Sequence, residues 1–181
     1  LTLKTTKTLL EPSPLLGPDQ LGHWLYETKF RQSEWFGFIY CITRNYDKKF
    51  YIGKKQLNIN GLKTKLVKGK RVPNTRYGKT TDWKTYTGSS DILNKDISEL
   101  GKSCFTFEII DCYKTKGGLY YAEAYLQMLS DALPMKFPNK VDEYAGYNSV
   151  IGAVRFIPKE LPSSKTKLFA GKIKKRIKDS V

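Results

Sequence analysis

The chain has 181 residues, with 32 Lys and Arg against 17 Asp and Glu, a formal net charge of +15. Hydrophobic residues make up 40% and aromatics 13%, enough to build a core, which excludes wholesale disorder. No stretch approaches the ~20 consecutive apolar residues of a membrane-crossing helix and no charged-then-apolar leader is recognisable, so the expectation is a soluble domain with an appended tail.

A surplus of +15 exceeds what solubility requires. It points to a polyanionic partner, because neutralising phosphates releases condensed counterions. A generally basic surface, as in a ribosomal or scaffolding protein, is the alternative. A membrane-surface role would need a basic amphipathic helix with a Trp/Phe/Leu face, and none is evident, so no membrane partner is expected. The cysteines are Cys41, Cys104 and Cys112, an odd number with no CxxC pair and with apolar neighbours. Neither a disulfide framework nor a cysteine zinc site is expected, and a reducing compartment fits best. His23 is the only histidine. A hydrolase built here must therefore work with Tyr, Lys, Arg, carboxylate and metal.

Residues 1–34 read as an arm that docks on the core, with a Lys/Thr stretch, then a segment bearing Pro12, Pro14, Gly17 and Pro18, then His23–Tyr26. Trp35 to Ile42 is a continuous apolar run typical of a buried strand. Asn45 to Lys49 supplies turn chemistry, and Phe50-Tyr51-Ile52-Gly53 reads as the returning strand of a hairpin. Residues 54–82 carry Lys54, Lys55, Lys63, Lys65, Lys68, Lys70, Arg71, Arg76 and Lys79 against the single acid Asp82, with interspersed Gly and Pro, and read as a basic loop or ribbon. Ser89-Ser90-Asp91 offers N-cap chemistry to a helix with Ile92, Leu93, Ile97 and Leu100 on one face and a stop at Gly101.

Phe105 to Ile110 predicts a third strand, and Gly117-Gly118 precedes a second helix with the stripe Leu119, Ala122, Leu126 and Leu129, ended by Pro134 and Pro138. Residues 151–181 form a basic extension, and from Ser164 they carry Lys165, Lys167, Lys172, Lys174, Lys175, Arg176 and Lys178 against Asp179. Such a segment is a solvated tail or a short helix, with solvation favoured; beside the basic loop it would add phosphate contacts. The fold class is α+β: a small, mainly antiparallel three-stranded sheet flanked by helices, with a basic insertion and a basic C-terminal tail.

Three features suggest a site. Tyr40 and Tyr51 lie on adjacent antiparallel strands, where they either converge or simply pack across the pair. Glu123 sits between Ala122 and Ala124 on an otherwise apolar helix, either as a surface residue on a narrow face or as a ligand with room for a substrate. Asn148 follows Gly146-Tyr147 in a loop where turn geometry is the plain explanation.

Phe38-Ile39-Tyr40, ten residues, then Tyr51-Ile52-Gly53 resembles the signature hairpin of the GIY-YIG nuclease superfamily, with Phe38 in place of its first Gly and Gly37 just before. The downstream order is similar too: a helix ending in Leu-Gly, a strand, a helical Glu123 and a late Asn148. The resemblance covers roughly residues 35–150 and is weakest from Lys54 to Asp82. The Trp83-Lys84-x-Tyr86-x-Gly88-Ser89-Ser90 stretch looks similar to phage and mobile-element members.

The resemblance implies hydrolysis of a DNA phosphodiester with one divalent metal, Mg²⁺ or Mn²⁺, bound by Glu123. Tyr40 and Tyr51 match the motif tyrosines, one of which deprotonates or orients the attacking water, and Asn148 matches a supporting Asn. A phenol with a pKa of ~10 needs a nearby cation to act as a base. The family's Arg, several residues after YIG, has no counterpart between Gln56 and Gly61. Lys54, Arg76 and Lys84 are the candidates for its role. DNA contacts are assigned to Lys55, Lys63, Lys65, Lys68, Lys70, Arg71, Lys79, Lys172, Lys174, Lys175 and Arg176. The implied partner is double-stranded DNA, cut by a homing or restriction-like enzyme, as a homodimer if both strands are to be cut, in the cytoplasm of a bacterial or phage-infected cell. A non-catalytic nucleic-acid-binding protein that keeps the nuclease fold is the competing reading.

Overall fold

The computed structural model describes residues 15–17, 20–59, 63–67, 70–74, 80–130, 132–133, 146–152 and 162–179, with the side chains of 63–67, 70–74, 177 and 178 excepted. Lys68, Arg76 and Lys79 lie outside the described residues, as do Pro134 and Pro138.

Two short strands, β1 (Leu15–Leu16) and β2 (Phe30–Arg31), pair antiparallel ahead of the main sheet. That sheet has the order β4-β3-β7, all antiparallel, from β3 (Gly37–Arg44), β4 (Phe50–Gln56) and β7 (Phe105–Tyr113). Its central hairpin closes through Asn45–Lys49, where Lys48 takes φ 63° and Arg44 bonds back to Lys49. Between Ile39 and Tyr40 the β3–β7 register shifts, because β7 carries the extra residue Ile110 opposite them, while Phe38, Tyr40 and Ile42 keep to one face of β3. The basic insertion is a ribbon, β5 (Lys63–Val67) with β6 (Lys70–Asn74), and Asn58 bridges Thr80 just outside its two ends.

Helix α1 (Asp91–Leu100) begins where the Ser90 hydroxyl accepts from the Leu93 N–H, and it stops at Gly101, whose φ of +85° ends the helical run. Its buried face is narrower than the spacing predicts: Leu93 and Ile97 are buried, while Ile92 and Leu100 are exposed. Helix α2 (Lys116–Leu129) is capped by Thr115 and buries Leu119, Ala122 and Leu126 against β3 and β4.

The sheet separates two cores. On one face Phe38, Tyr40, Ile42 and Tyr51 pack with Trp24, Phe30, Trp83 and Phe107. On the other, Ile39, Cys41, Phe50 and Ile52 pack with α2 and with helix α3 (Ser164–Lys178). The described part of the arm supplies Leu21, Trp24 and Phe30 to the first core, and Leu25 pairs alongside β7 through a parallel bridge to Glu108. The single histidine is held there too, 4.2 Å from the Phe107 ring and within 3.1 Å of the Tyr86 carbonyl.

The C-terminal segment corrects the expectation of a solvated tail. Thr166, Phe169, Ala170 and Ile173 recur at helical spacing and are buried against α2 and β7, while Lys165, Lys167, Lys172, Lys174 and Lys175 face solvent. The segment is also the basic amphipathic helix that the sequence concealed, but its apolar face is already covered by the sheet. Ser163 and Thr166 hydrogen-bond Asp111, and Thr166 also meets the Tyr113 hydroxyl, anchoring the helix start on β7. Truncating Ile173→Ala should cost about 3 kcal/mol in urea unfolding; a cost below about 0.5 kcal/mol would show that α3 is not part of the cooperative fold.

Candidate active site

The Tyr51-Ile52-Gly53 segment lies at the open edge of the sheet, and the chain satisfies that edge with a returning loop and two side chains. Residues 146–148 run beside β4: Gly146 bridges Phe50 and the Tyr147 N–H donates to the Phe50 carbonyl. Asn148, fully buried, then closes on the Ile52 peptide, accepting its N–H at 2.9 Å and donating to its C=O at 2.7 Å. The same carbonyl accepts a second bond at 2.9 Å from Gln127 of α2. A buried amide that mimics a neighbouring strand meets the need of edge backbone groups for partners.

Tyr40 and Tyr51 approach each other on one face of the sheet with ring centroids 6.1 Å apart, a geometry that meets both readings of the pair, convergence and cross-strand packing. Gly53 makes the convergence fit: a Cβ there would lie 2.4 Å from the Tyr40 hydroxyl and 2.9 Å from the Tyr51 ring. Tyr51 hydrogen-bonds Ser89 at 2.9 Å, and the Tyr86 ring stands edge-on to Tyr40 at 6.2 Å. Phe38, in place of the motif glycine, fills the core below with its ring 6.0 Å from Tyr40 and 5.9 Å from Trp83.

Strand alternation sends Lys54 to the opposite face from Tyr51 and Lys55. There its ammonium pairs with the buried Glu123 carboxylate of α2 and lies 4.1 Å from the centre of the Tyr120 ring. The phenols and the carboxylate thus approach from the two sides of one edge strand, close enough for Glu123 to act electrostatically on Tyr40. Lys55, on the tyrosine face, pairs with Asp82 at 2.6 Å and sits 3.5 Å from the centre of the Tyr86 ring.

Electrostatics bears on which of the two implied tyrosine roles Tyr40 fits. Burial holds the Tyr40 phenol well above its ordinary pKa, and Tyr51, Tyr86 and Glu123 push it further the same way. Tyr40 is therefore a neutral hydrogen-bonding group in this arrangement, which fits orienting a water better than deprotonating one. Burial likewise raises Glu123 above the usual carboxylate range, with Lys54 pulling it back.

The remaining expected basic residues are dispersed. Lys84 is exposed, with its ammonium 5.6 Å from the centre of the Trp83 ring. Lys63, Lys65, Lys70 and Arg71 sit in the ribbon strands. Lys172, Lys174 and Lys175 lie on the outer face of α3, and Arg176 pairs with Glu108 at 3.2 Å. Two residues that the sequence does not single out as site residues lie at the site: Tyr86, quoted only within the Trp83–Ser90 stretch, and Gln127. Gln127 stands four residues after Glu123, and that helical spacing was the available signal.

Among the described residues no three His, Cys, Asp or Glu side chains gather as a metal site. The donor set is Glu123 alone, a hard carboxylate. That fits an ion of the Mg²⁺ kind, which takes one or two carboxylates and fills its other positions with water and phosphate oxygens. It does not fit tetrahedral zinc.

Two measurements test this framework. Asn148→Ala leaves the Ile52 N–H without its partner, so unfolding free energy should fall by about 2 kcal/mol with faster hydrogen exchange at Ile52. Burial, then the Lys102 charge, lowers the His23 pKa, against a smaller opposing effect of the Tyr86 carbonyl. The unfolded chain therefore binds a proton, near its pKa of about 6.5, that the folded chain refuses, so stability is full above that value and falls on acidification. Between about pH 7 and about pH 5 the urea midpoint should drop, and His23→Gln should flatten this component.

The family model "Putative endonuclease segE, GIY-YIG domain" matches residues 24–151, a span containing Tyr40, Tyr51, Glu123, Gln127 and Asn148. No curated protein and no solved structure gives a significant match. With its hairpin tyrosines, helical glutamate and late asparagine inside the matched span, the chain belongs to the GIY-YIG nuclease family.

Proposed function

We propose that the protein is a divalent-metal-dependent endonuclease that hydrolyses phosphodiester bonds of duplex DNA. The observation that carries this reading is the joining of Tyr40, Tyr51 and the Lys54–Glu123 pair around the single Ile52 peptide held by Asn148 and Gln127. Glu123 would hold Mg²⁺ or Mn²⁺. The ion, when bound, supplies Lewis acidity at a phosphate oxygen and charge stabilisation for the leaving oxygen.

The chain's own groups do the rest. Tyr40, kept neutral by burial, orients the attacking water through its hydroxyl, and Tyr51 is fixed beside it by Ser89. Lys54 offers a mobile positive charge to the phosphate, a point charge where an Arg would make a two-pronged contact. Asn148 and Gln127 are positioning residues, acting through Ile52. The lysines on the outer face of α3, with the ribbon residues Lys63, Lys65, Lys70 and Arg71, follow the DNA backbone. The ribbon is also the element with the dimensions to enter a groove, which favours a homing or restriction-like enzyme over one that recognises DNA shape alone. The three cysteines, all free, fit a reducing cytoplasm.

The competing reading, a DNA-binding protein without catalysis, draws on the Lys54 ammonium that engages Glu123. Incubation with supercoiled and linear DNA separates the two. Cutting is expected with Mg²⁺ or Mn²⁺ and none with EDTA. Glu123→Gln should lower the rate by at least about 100-fold while DNA affinity persists. Undiminished cutting by that variant would overturn the site, and no cutting by the unaltered protein on varied DNA would favour the binder.

A further inference from the structure

Lys54 and Glu123 are each other's partners across two elements, and both are withdrawn from water, with side chains 25% and 11% exposed. A carboxylate this enclosed is costly without a countercharge, so the free protein keeps the ammonium in place. The same carboxylate is the donor a divalent cation would use. A dication arriving beside an ammonium meets like-charge repulsion that little water screens. One of the two cations must leave.

The geometry provides for the departure of Lys54. Its ammonium already lies 4.1 Å from the centre of the Tyr120 ring, and Tyr120 is 45% exposed at the rim of the site. Lys116 approaches the same ring at 5.4 Å. Lys116, Tyr120, Glu123 and Gln127 follow one another on α2 at spacings of four, three and four residues, a single stripe along the helix. An aromatic face holds an ammonium whether or not the carboxylate does, so Lys54 can turn outward without losing every partner. Its backbone stays fixed meanwhile, because Ile52, two residues earlier, is held by Asn148 and Gln127.

We propose that Lys54 has two alternative partners, Glu123 in the free protein and a DNA phosphate in the complex, so that divalent-cation binding at Glu123 is coupled to DNA binding. The inference rests on the nuclease reading above for the identity of the polyanion. A backbone phosphate at the rim draws the ammonium out, the bared carboxylate accepts the cation, and the protein alone is a poor cation binder. Coupling of this kind is reciprocal: DNA tightens the cation by the factor with which the cation tightens DNA. It confines the reactive state to the substrate-bound protein.

The test is a Mn²⁺ titration of the full chain followed by electron paramagnetic resonance, with and without a phosphorothioate-substituted duplex that resists cutting. The Glu123→Gln protein with the same duplex supplies the background of Mn²⁺ bound by DNA. The duplex should tighten the Glu123-dependent site by about 10-fold or more. Lys54→Met should bind Mn²⁺ without DNA more tightly than the unaltered protein does and gain less from the duplex, whose phosphate oxygens still ligate the ion; a variant as weak as the unaltered protein without DNA overturns the exchange of partners. Equal affinity of the unaltered protein with and without duplex, or no Glu123-dependent binding in either case, overturns the proposal whatever the variant does. A protein that shows the coupling but never cuts keeps this inference and loses the nuclease reading.

Discussion

The site depends on the outer edge of β4, where the Ile52 peptide would face away from the sheet with its N–H and C=O unpaired. Asn148 and Gln127 satisfy both groups, arriving from a loop that also bonds Phe50 and from a helix that packs on the strand. Buried backbone polar groups tolerate no vacancy. This requirement therefore fixes where α2 lies along β4, and with it the distance from Glu123 to the hairpin. Tyr51 precedes the clamped peptide and Gly53 and Lys54 follow it, so three site residues inherit their place from one set of bonds.

From that edge the two faces of the sheet take separate tasks. One is an aromatic core in which Trp24, Phe38 and Trp83 enclose the tyrosines, and its dryness keeps the Tyr40 phenol neutral. The other is a mainly aliphatic core under α2 and α3, interrupted at its margin by the Lys54–Glu123 pair. A side chain at Gly53 would collide with Tyr40 and Tyr51, so glycine there is required by close approach and not by a turn. The Arg44–Asp96–Tyr147 bonds tie the hairpin, α1 and the returning loop together at a distance from the chemistry.

Parts of this arrangement were legible in the residues. Glu123 stood out as an acid among alanines, and the tyrosine pair stood out through its place on a hairpin. Gln127 did not, because a glutamine in a helix usually faces water, and its buried position appears only once α2 is laid against β4. Helix α3 misled for a different reason. Its lysines outnumber its apolar residues, and composition hid the spacing of Thr166, Phe169, Ala170 and Ile173, which is the quantity that governs docking. Arg176, counted among DNA contacts, turned out to have Glu108 beside it.

The sequence by itself determined the elements: the hairpin with its turn, the Ser90 cap and Gly101 stop of α1, the third strand and the stripe of α2. Each of these rests on neighbours within a turn or on alternation along a strand, and such forces act over a few residues. Tertiary structure alone decided the partners. Lys54 meets Glu123 across 69 residues of chain and Ile52 meets Asn148 across 96. No local rule sets those pairs, because they follow from the burial of two cores and the need of backbone polar groups at their margin for partners.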